Sequence, residues 1–297
     1  MRIEAGLFGV LLLTTTQIAY SADTDSYQRK CEVVDGVVVC KSLADELANL
    51  PPAEKGTRLY SEADKRHGPL MGYGSPGYGD SQSKFVATVT EADGTRKTRE
   101  IRLKYLENSP DGNKRLIILD KPKDLKRHAM LTISHKNGTD EQWVYDPENN
   151  QIKRILSNNA YTPFYGTDIS FEDISSQDVK KYDYRYEKDA TYEGNLCYVV
   201  NRFPKDRYSG YQRLETWIDK STYLVHKIDY YDHDGNLLKT LMLDDYQRYN
   251  EKYWRAGEML MRNHQTGRST QLVWSEYRFD TGLTEADFSL NSLKNVN

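Results

Sequence analysis

Residues 159–174 read NAYTPFYGTDISFEDI and hold the densest group of chemically capable side chains in the sequence. Three carboxylates, Asp168, Glu172 and Asp173, follow two aromatics, Phe164 and Tyr165, and a glycine, Gly166. Two carboxylates held close together can divide general acid and general base work, so Asp168 and Asp173 would suit a hydrolase. The same residues have a simpler local use. Asp168 or Ser170 can cap a short helix over SFEDI, and Glu172 and Asp173 then sit in its first turn, near the positive end of its dipole. Capping is the simpler account, and the hydrolytic reading stays open beside it.

Other candidate chemistry is sparser. His128 and His135 stand seven residues apart on one strand run, an odd separation that sends them to opposite faces, so they do not chelate one ion together. DHDGN at Asp232–Asn236 has the composition of a calcium loop without its spacing or distal glutamate, and it reads as a turn. Ser75 in GYGSPG is not in a G-x-S-x-G elbow. No cofactor or metal signature emerges. In CEVVDGVVVC the Asp35-Gly36 pair favours a two-residue hairpin turn, which places Cys31 opposite Cys40. That position is a non-hydrogen-bonded pair, where Cα atoms approach to ~4.5 Å and a disulfide fits. Cys197, in NLCYVV, reads as a small buried apolar residue.

The elements that must position these residues follow from composition and patterning. With 41 Lys and Arg against 44 Asp and Glu, the net charge of −3 offers no basic excess for nucleic acid. The 23 tyrosines and many short Val, Ile and Leu runs suit pleated, half-exposed strands. The start, MRIEAGLFGVLLLTTTQIAYSAD, carries Arg2, an apolar run and small residues near a cut, and reads as a secretory signal peptide over 1–22. Its apolar run is far shorter than the ~20 residues of a membrane span. Residues 23–82 then carry the cysteine hairpin and a helix over SLADELANL capped by Ser42. A second helix from Pro52 to Arg66 follows, and then HGPLMGYGSPGYGDS, a Gly- and Tyr-rich connection or lid.

From residue 83 to 297 the pattern is strand after strand. Phe85, Ala87 and Val89 share one face, as do Ile101, Leu103 and Tyr105, and Ala129, Leu131 and Ile133. Asp93-Gly94, Asp111-Gly112, Asn137-Gly138, Asp146-Pro147, Asp234-Gly235 and Thr266-Gly267 are turns between consecutive antiparallel strands. Roughly ten strands with one apolar face each need cover that few helices can supply. The sheet must therefore close on itself or curl around a hollow suited to a ligand. Trp143, Tyr145, Phe164, Tyr165, Phe171 and Trp217 are candidates to line that hollow or its rim.

DEQWVYDPENNQIKRILSNNAYTPFYGTDISFEDI, followed by NRFPKDRYSGYQRLETWID, YYDHDGNLLKTL and YWRAGEMLMRNHQTGRSTQLVW, resembles the LolA-like outer-membrane lipoprotein-sorting proteins of the bacterial periplasm. The likeness spans residues 79–293, and Trp143, Tyr145, Pro147, Arg154, Ile155, Phe164, Gly166, Asp168, Phe171, Glu172 and Asp173 match in order and spacing. It implies a mainly β fold, a strongly curved antiparallel half-barrel with a few helices covering an apolar cavity. It also implies a periplasmic protein of a Gram-negative bacterium that carries lipoprotein acyl chains or another lipid, without catalysis or cofactor. Membrane contact would be transient, and an inner-membrane RND-type transporter is an implied partner. On this resemblance Trp143, Tyr145, Phe164, Tyr165, Phe171 and Trp217 are lipid-binding candidates, and Arg154, Gly166, Asp168 and Asp173 shape the rim. An adaptor subunit of an RND-type export system, binding through a sheet edge, is the alternative from another class.

Overall fold

A computed structural model of the chain describes residues 30–34, 37–41, 43–66, 79–107, 112–135, 139–175, 177–251 and 253–296. The expected signal peptide, the Asp35-Gly36 and Asn137-Gly138 turns, Asp111, the Ser42 cap and residues 67–78 of the Gly- and Tyr-rich segment lie outside the described residues. Two units divide between Asn49 and Leu50. In the first, β1 (Lys30–Val34) pairs antiparallel with β2 (Val37–Lys41), and α1 (Leu43–Ala48) follows. The backbone register sets Cys31 opposite Cys40, as a two-residue turn requires.

The second unit opens with α2 (Pro52–Arg66), whose first residue is a proline, a type preorganised for the helix start. Thirteen strands follow: β3 (Asp80–Thr90), β4 (Arg96–Leu106), β5 (Lys114–Lys121), β6 (Ala129–Ile133), β7 (Glu141–Asp146), β8 (Gln151–Ile155), β9 (Tyr182–Tyr192), β10 (Asn195–Pro204), β11 (Arg213–Asp219), β12 (Val225–Tyr231), β13 (Leu237–Tyr249), β14 (Tyr253–Asn263) and β15 (Ser269–Phe279). Two short helices complete it, α3 (Phe171–Ile174) between β8 and β9, and α4 (Leu290–Lys294) after β15. The strands form one sheet in the order β8-β7-β6-β5-β4-β3-β15-β14-β13-β12-β11-β10-β9. It is two antiparallel meanders joined where β3 pairs with β15. Glycines with φ of 86°, 79° and 71° at Gly94, Gly235 and Gly267 make the expected hairpin turns.

Strand alternation gives the sheet two unlike faces. Phe85, Ile101, Ile117, Leu241, Met259, Leu272 and Trp274 fall in register on one of them, each at most 8 % exposed. The opposite face is polar over β3 and β4, where Arg102 grips Asp120 with two hydrogen bonds of 2.7 and 2.8 Å. Over β5, β6 and β7 that opposite face is instead apolar and covered. Leu116, Ile118, Ala129, Leu131 and Tyr145 pack there with Phe288, Leu293 and Val296 of the C-terminal segment.

Curvature follows from one ion pair. Asp140, just before β7, pairs with Lys181, just before β9. In a flat sheet the eleven strand spacings between β7 and β9 would separate them by roughly 50 Å. The sheet is therefore strongly curled, with its two ends brought together. α2 lies on β9 so closely that a Cβ added at Gly56 would stand 2.7 Å from the backbone N of Tyr186. A glycine that weakens the helix intrinsically is thus what permits its docking.

The cysteine pair generates a test. Denatured, unreduced protein should present one reactive thiol, that of Cys197, and reduction should raise the count to three. In the native protein Cys197 should stay unreactive, since it is buried and burial pushes its thiol up to about 11. Three thiols titrating before reduction would exclude the Cys31–Cys40 bridge.

Candidate functional site

Residues 156–181 carry the chain from the β8 edge to the β9 edge, and they cross the apolar face of the sheet to do so. Their backbone doubles back on itself at TPFYG. Phe164 N donates to Ile169 O at 2.7 Å and Thr167 N to Phe164 O at 3.0 Å. Tyr165 and Gly166 take left-handed conformations with φ of 43° and 72°. The glycine adopts this freely, whereas the tyrosine is strained and is held by its neighbours. Ser170 is the N-cap of α3, and with Asp173 it forms a reciprocal capping box.

The three carboxylates all accept hydrogen bonds from structural donors. Asp173 accepts from Lys239 Nζ at 2.5 Å, from the Tyr211 hydroxyl at 2.7 Å and from Ser170 N at 2.7 Å. Both members of the Asp173–Lys239 pair are buried, at 2 % and 4 % exposure. Asp168 accepts from the Thr270 hydroxyl at 2.8 Å, and its main-chain oxygen takes Lys239 Nζ at 3.1 Å. Glu172 accepts from the Ser209 hydroxyl and from Gly210 N at 2.8 Å. Burial pushes the Glu172 carboxyl up to about 7 in spite of those donors. An acid–base pair needs a reachable proton donor and acceptor facing a substrate, whereas Asp168 and Asp173 face the sheet side chains that fix the crossover.

Main-chain carbonyls of the same segment are held in the same way. Arg99 Nε donates to Tyr165 O at 2.9 Å, Arg268 to Gly166 O at 2.6 Å, Gln142 to Phe171 O at 2.9 Å and Arg115 to Ile174 O at 2.9 Å. These donors belong to β4, the residue before β15, β7 and β5, so one short segment is gripped from separate strands. Beside it, Arg202 of β10 is fully buried between the rings of Tyr60 and Tyr182, at 4.6 and 5.1 Å. It donates to the Tyr60 hydroxyl of α2 at 2.8 Å, to Gln177 at 3.1 Å and to Thr216 at 2.9 Å.

Where the two sheet ends meet, a cleft of about 490 Å³ opens between the β7–β8 side, the crossover and the β10–β11 loop. Asp140, Glu172, Lys181, Lys205 and Arg207 line it, with Ile155, Ala160 and Tyr208 among its apolar contacts. Among the described residues no group of three or more His, Cys, Asp or Glu side chains is placed to hold a metal ion.

Comparison with known proteins places this architecture. A family model described as "Uncharacterized protein" matches residues 111–295. A crystal structure from Vibrio parahaemolyticus, described as an outer membrane lipoprotein-sorting protein domain, is 42 % identical. That match covers 82 % of this chain and 99 % of the other, with a TM-score of 0.76. The chain belongs to the LolA-like outer-membrane lipoprotein-sorting family. A DUF1329 family protein from Desulfovibrio piger is 28 % identical over 82 % of this chain and all of its own, with a TM-score of 0.75. A LolA superfamily protein from Nitrosomonas europaea, 17 % identical over 82 % of this chain and all of its own, shares the fold with a TM-score of 0.62. No curated protein matches the chain.

Within this LolA-like sheet the six aromatic candidates separate. Phe164 and Phe171 are buried in the crossover, edge to face at 5.7 Å, and Tyr165 joins them at 4.8 Å from Phe164. Trp143, Tyr145 and Trp217, candidates for the lining or its rim, lie on the opposite face of the sheet. Trp143 and Tyr145 belong with Phe288, Leu293 and Val296. Trp217 sits between Tyr192, at 6.0 Å, and Lys227, while its neighbour Thr216 points inward to Arg202. A period of two makes the face depend on a single residue of register, and each strand carries large side chains on both faces. Arg154 stacks on the Trp143 ring at 5.4 Å, near Glu141 and away from the crossover. Gly166, Asp168 and Asp173 do converge on it. Reading the sequence alone did not single out Lys239, Tyr211, Arg115 or Arg202. An isolated basic residue on an inward strand position is the one signal for Lys239, Arg115 and Arg202, and Tyr211 has none.

Two measurements test this site. Asp173→Ala leaves Lys239 buried without its carboxylate and should lower unfolding stability by about 3–5 kcal/mol in urea titration; a loss below ~1 kcal/mol would show that the crossover does not depend on the pair. The Glu172 carboxyl has a folded pKa above its ordinary 4.5, so its contribution to stability is fully present below about 4.5 and is lost as pH rises through about 7. Asp64 of α2, also raised to about 7 by burial and by Asp178, adds to the same trend. The melting temperature should therefore fall between those pH values, and Glu172→Gln should remove roughly half of the fall. An unchanged pH profile in that variant would contradict the assignment.

Proposed function

We propose that this protein is a periplasmic carrier that binds lipidated proteins or lipids inside its curled sheet and transfers them toward the outer membrane without catalysis. The observation that carries the reading is the 42 % identity, across 99 % of its length, to a domain described as an outer membrane lipoprotein-sorting protein. Physical chemistry supports it. Each methylene of an acyl chain exposed to water costs ~0.8 kcal/mol, so a lipid leaves its membrane only for an apolar receptacle. The inward residues of β3–β5 and β13–β15 are suited to that contact, because Phe85, Ile101, Leu241, Met259 and Leu272 offer dispersion without polar fixation. No helix among the described residues is long and apolar enough to cross a membrane.

These side chains are almost wholly buried, so loading requires part of their cover to move. In this reading α2, a discrete helix laid on β9 and β10, moves to admit a chain at that side of the curled sheet. The hydrolase alternative has little support, because Asp168 and Asp173 are occupied by the crossover's own hydrogen bonds. An RND-type transporter remains the proposed partner through the resemblance alone.

Native mass spectrometry of protein prepared without detergent, followed by lipid extraction, decides the reading. Bound species carrying acyl chains, released when the protein is unfolded, are the expected result. Protein that stays lipid-free after incubation with membranes and with acylated peptide would refute it.

A further inference from the structure

The cleft at the meeting of the sheet ends is chemically unlike the apolar interior. Eleven of its sixteen lining residues are polar or charged. Carboxylates stand on one part of its wall, Asp140 before β7 and Glu172 in α3. The β10–β11 loop carries two exposed cations, Lys205 and Arg207, on either side of a third lining carboxylate, Asp206, and Lys205 also pairs with Asp183 at 3.3 Å. Lys181 joins the two parts through its ion pair with Asp140. Arg207 lies over the Tyr208 ring at 4.6 Å, which holds the guanidinium at the mouth.

The surroundings of the mouth add a second, independent observation. Leu156 and Tyr161 are each 56 % exposed and Tyr208 is 44 % exposed, an unusual cluster of large apolar side chains in water. They belong together in space: Tyr208 lines the cleft, Leu156 lies between the lining residues Ile155 and Ser157, and the Tyr161 Cβ is 2.8 Å from where Gly210 would carry one. Aromatic and aliphatic side chains beside basic ones are the composition that rests at a bilayer surface, ring in the headgroup layer and charge near phosphate.

We propose that this cleft binds the phosphoethanolamine headgroup of a membrane phospholipid, its phosphate at Lys205 and Arg207 and its primary ammonium toward Glu172 and Asp140. The inference rests on the carrier reading and adds to it a headgroup preference and a place of membrane contact. A volume of about 490 Å³ lies in the range of small-molecule sites and is ample for such a headgroup. An anionic glycerol headgroup brings no cation to face the two carboxylates. A choline headgroup brings a cation with no N–H to donate to them. A primary ammonium supplies three donors and a positive charge, and it can add a donor to the half-buried Glu172 beside Ser209 and Gly210.

The test is calorimetric titration of the intact mature protein with dihexanoyl phospholipids carrying ethanolamine, choline or glycerol headgroups, and with free phosphoethanolamine. The ethanolamine lipid should bind on the order of tenfold more tightly than the other two. Lys205→Glu with Arg207→Glu, two exposed positions, should weaken that binding by at least as much while the thermal melt stays unchanged. Equal affinity for all three lipids, or an ethanolamine affinity untouched by the double substitution, would overturn the headgroup inference and leave the carrier reading standing. Binding of free phosphoethanolamine with no lipid bound would keep the site, identify its ligand as the soluble compound and count against the carrier reading. Failure to bind any of the four would overturn the headgroup inference and leave the carrier reading to the acylated-peptide test.

Discussion

Strands β8 and β9 are consecutive in the chain and lie at opposite edges of a thirteen-stranded sheet. The 26 residues between them must connect those edges, and they do so across one face of the sheet. The middle of this segment, where residues 167–171, 173 and 174 are buried, is cut off from water and mostly not in a ladder, so its carbonyls and amides need partners from elsewhere. The sheet supplies them as side chains. Arg99, Arg115, Gln142, Lys239 and Arg268 each take a carbonyl, while Thr270 and Tyr211 complete the carboxylates. Donors on β4, β5, β7 and β13 reach one short segment only if the sheet wraps around it. Curvature and polar anchoring are thus two aspects of a single requirement.

Burying so many cations has a consequence for the interior. Removing a guanidinium or ammonium from water costs several kcal/mol unless charge or dipoles replace the solvent. Lys239 has a carboxylate, Arg202 has two aromatic faces and three acceptors, and Arg99 and Arg115 have carbonyl oxygens. Burial holds the Arg115 guanidinium down to about 9, so the compensation there is incomplete. Geometry that satisfies these groups in one arrangement fails in others, which gives the crossover a single register against the sheet. The inward surface is then divided between a fixed polar tract beneath the crossover and apolar ground on β3, β4, β14 and β15.

Much of this was legible in the sequence because it is local. Asp-Gly and Thr-Gly turns between alternating runs announce hairpins, and the Ser170–Asp173 spacing announces a capped turn of helix. The shortage of helices relative to apolar strand faces announces curvature. What was not legible depends on distant partners. Trp143 and Tyr145 went to the outer face because Phe288, Leu293 and Val296 return there from the far end of the chain, and no local pattern in DEQWVYDPE reports that return. Lys239 in LLKTLMLDD looks like a solvent-facing interruption until Asp173 is seen across from it. The hairpin at Glu193-Gly194, with φ of 48° and 85°, lacks the Asn or Asp that usually marks such a turn, yet it has the same backbone. Long-range pairings of this kind are a property of topology, and the sequence carries only their residue types.

The difference in how the two coverings are attached bears on which of them moves. The crossover is tied to the sheet by hydrogen bonds to ionised groups, each worth about 1.5–3 kcal/mol and costly to leave unmade in a buried place. Lifting it would strand Lys239, Arg99 and Arg115 together. α2 is attached differently. Leu59, Tyr60 and Ala63 form its buried stripe, Lys55 lies over the Tyr186 ring at 3.8 Å, and the Tyr60 hydroxyl meets Arg202. Apolar contact is non-directional, so an acyl chain can substitute for Leu59 and Ala63 with little net change in buried area. Arg202 retains Gln177 and Thr216 when Tyr60 leaves. A carrier that has to exchange cargo for cover at small net free energy is better served by releasing the helix than by unfastening the crossover.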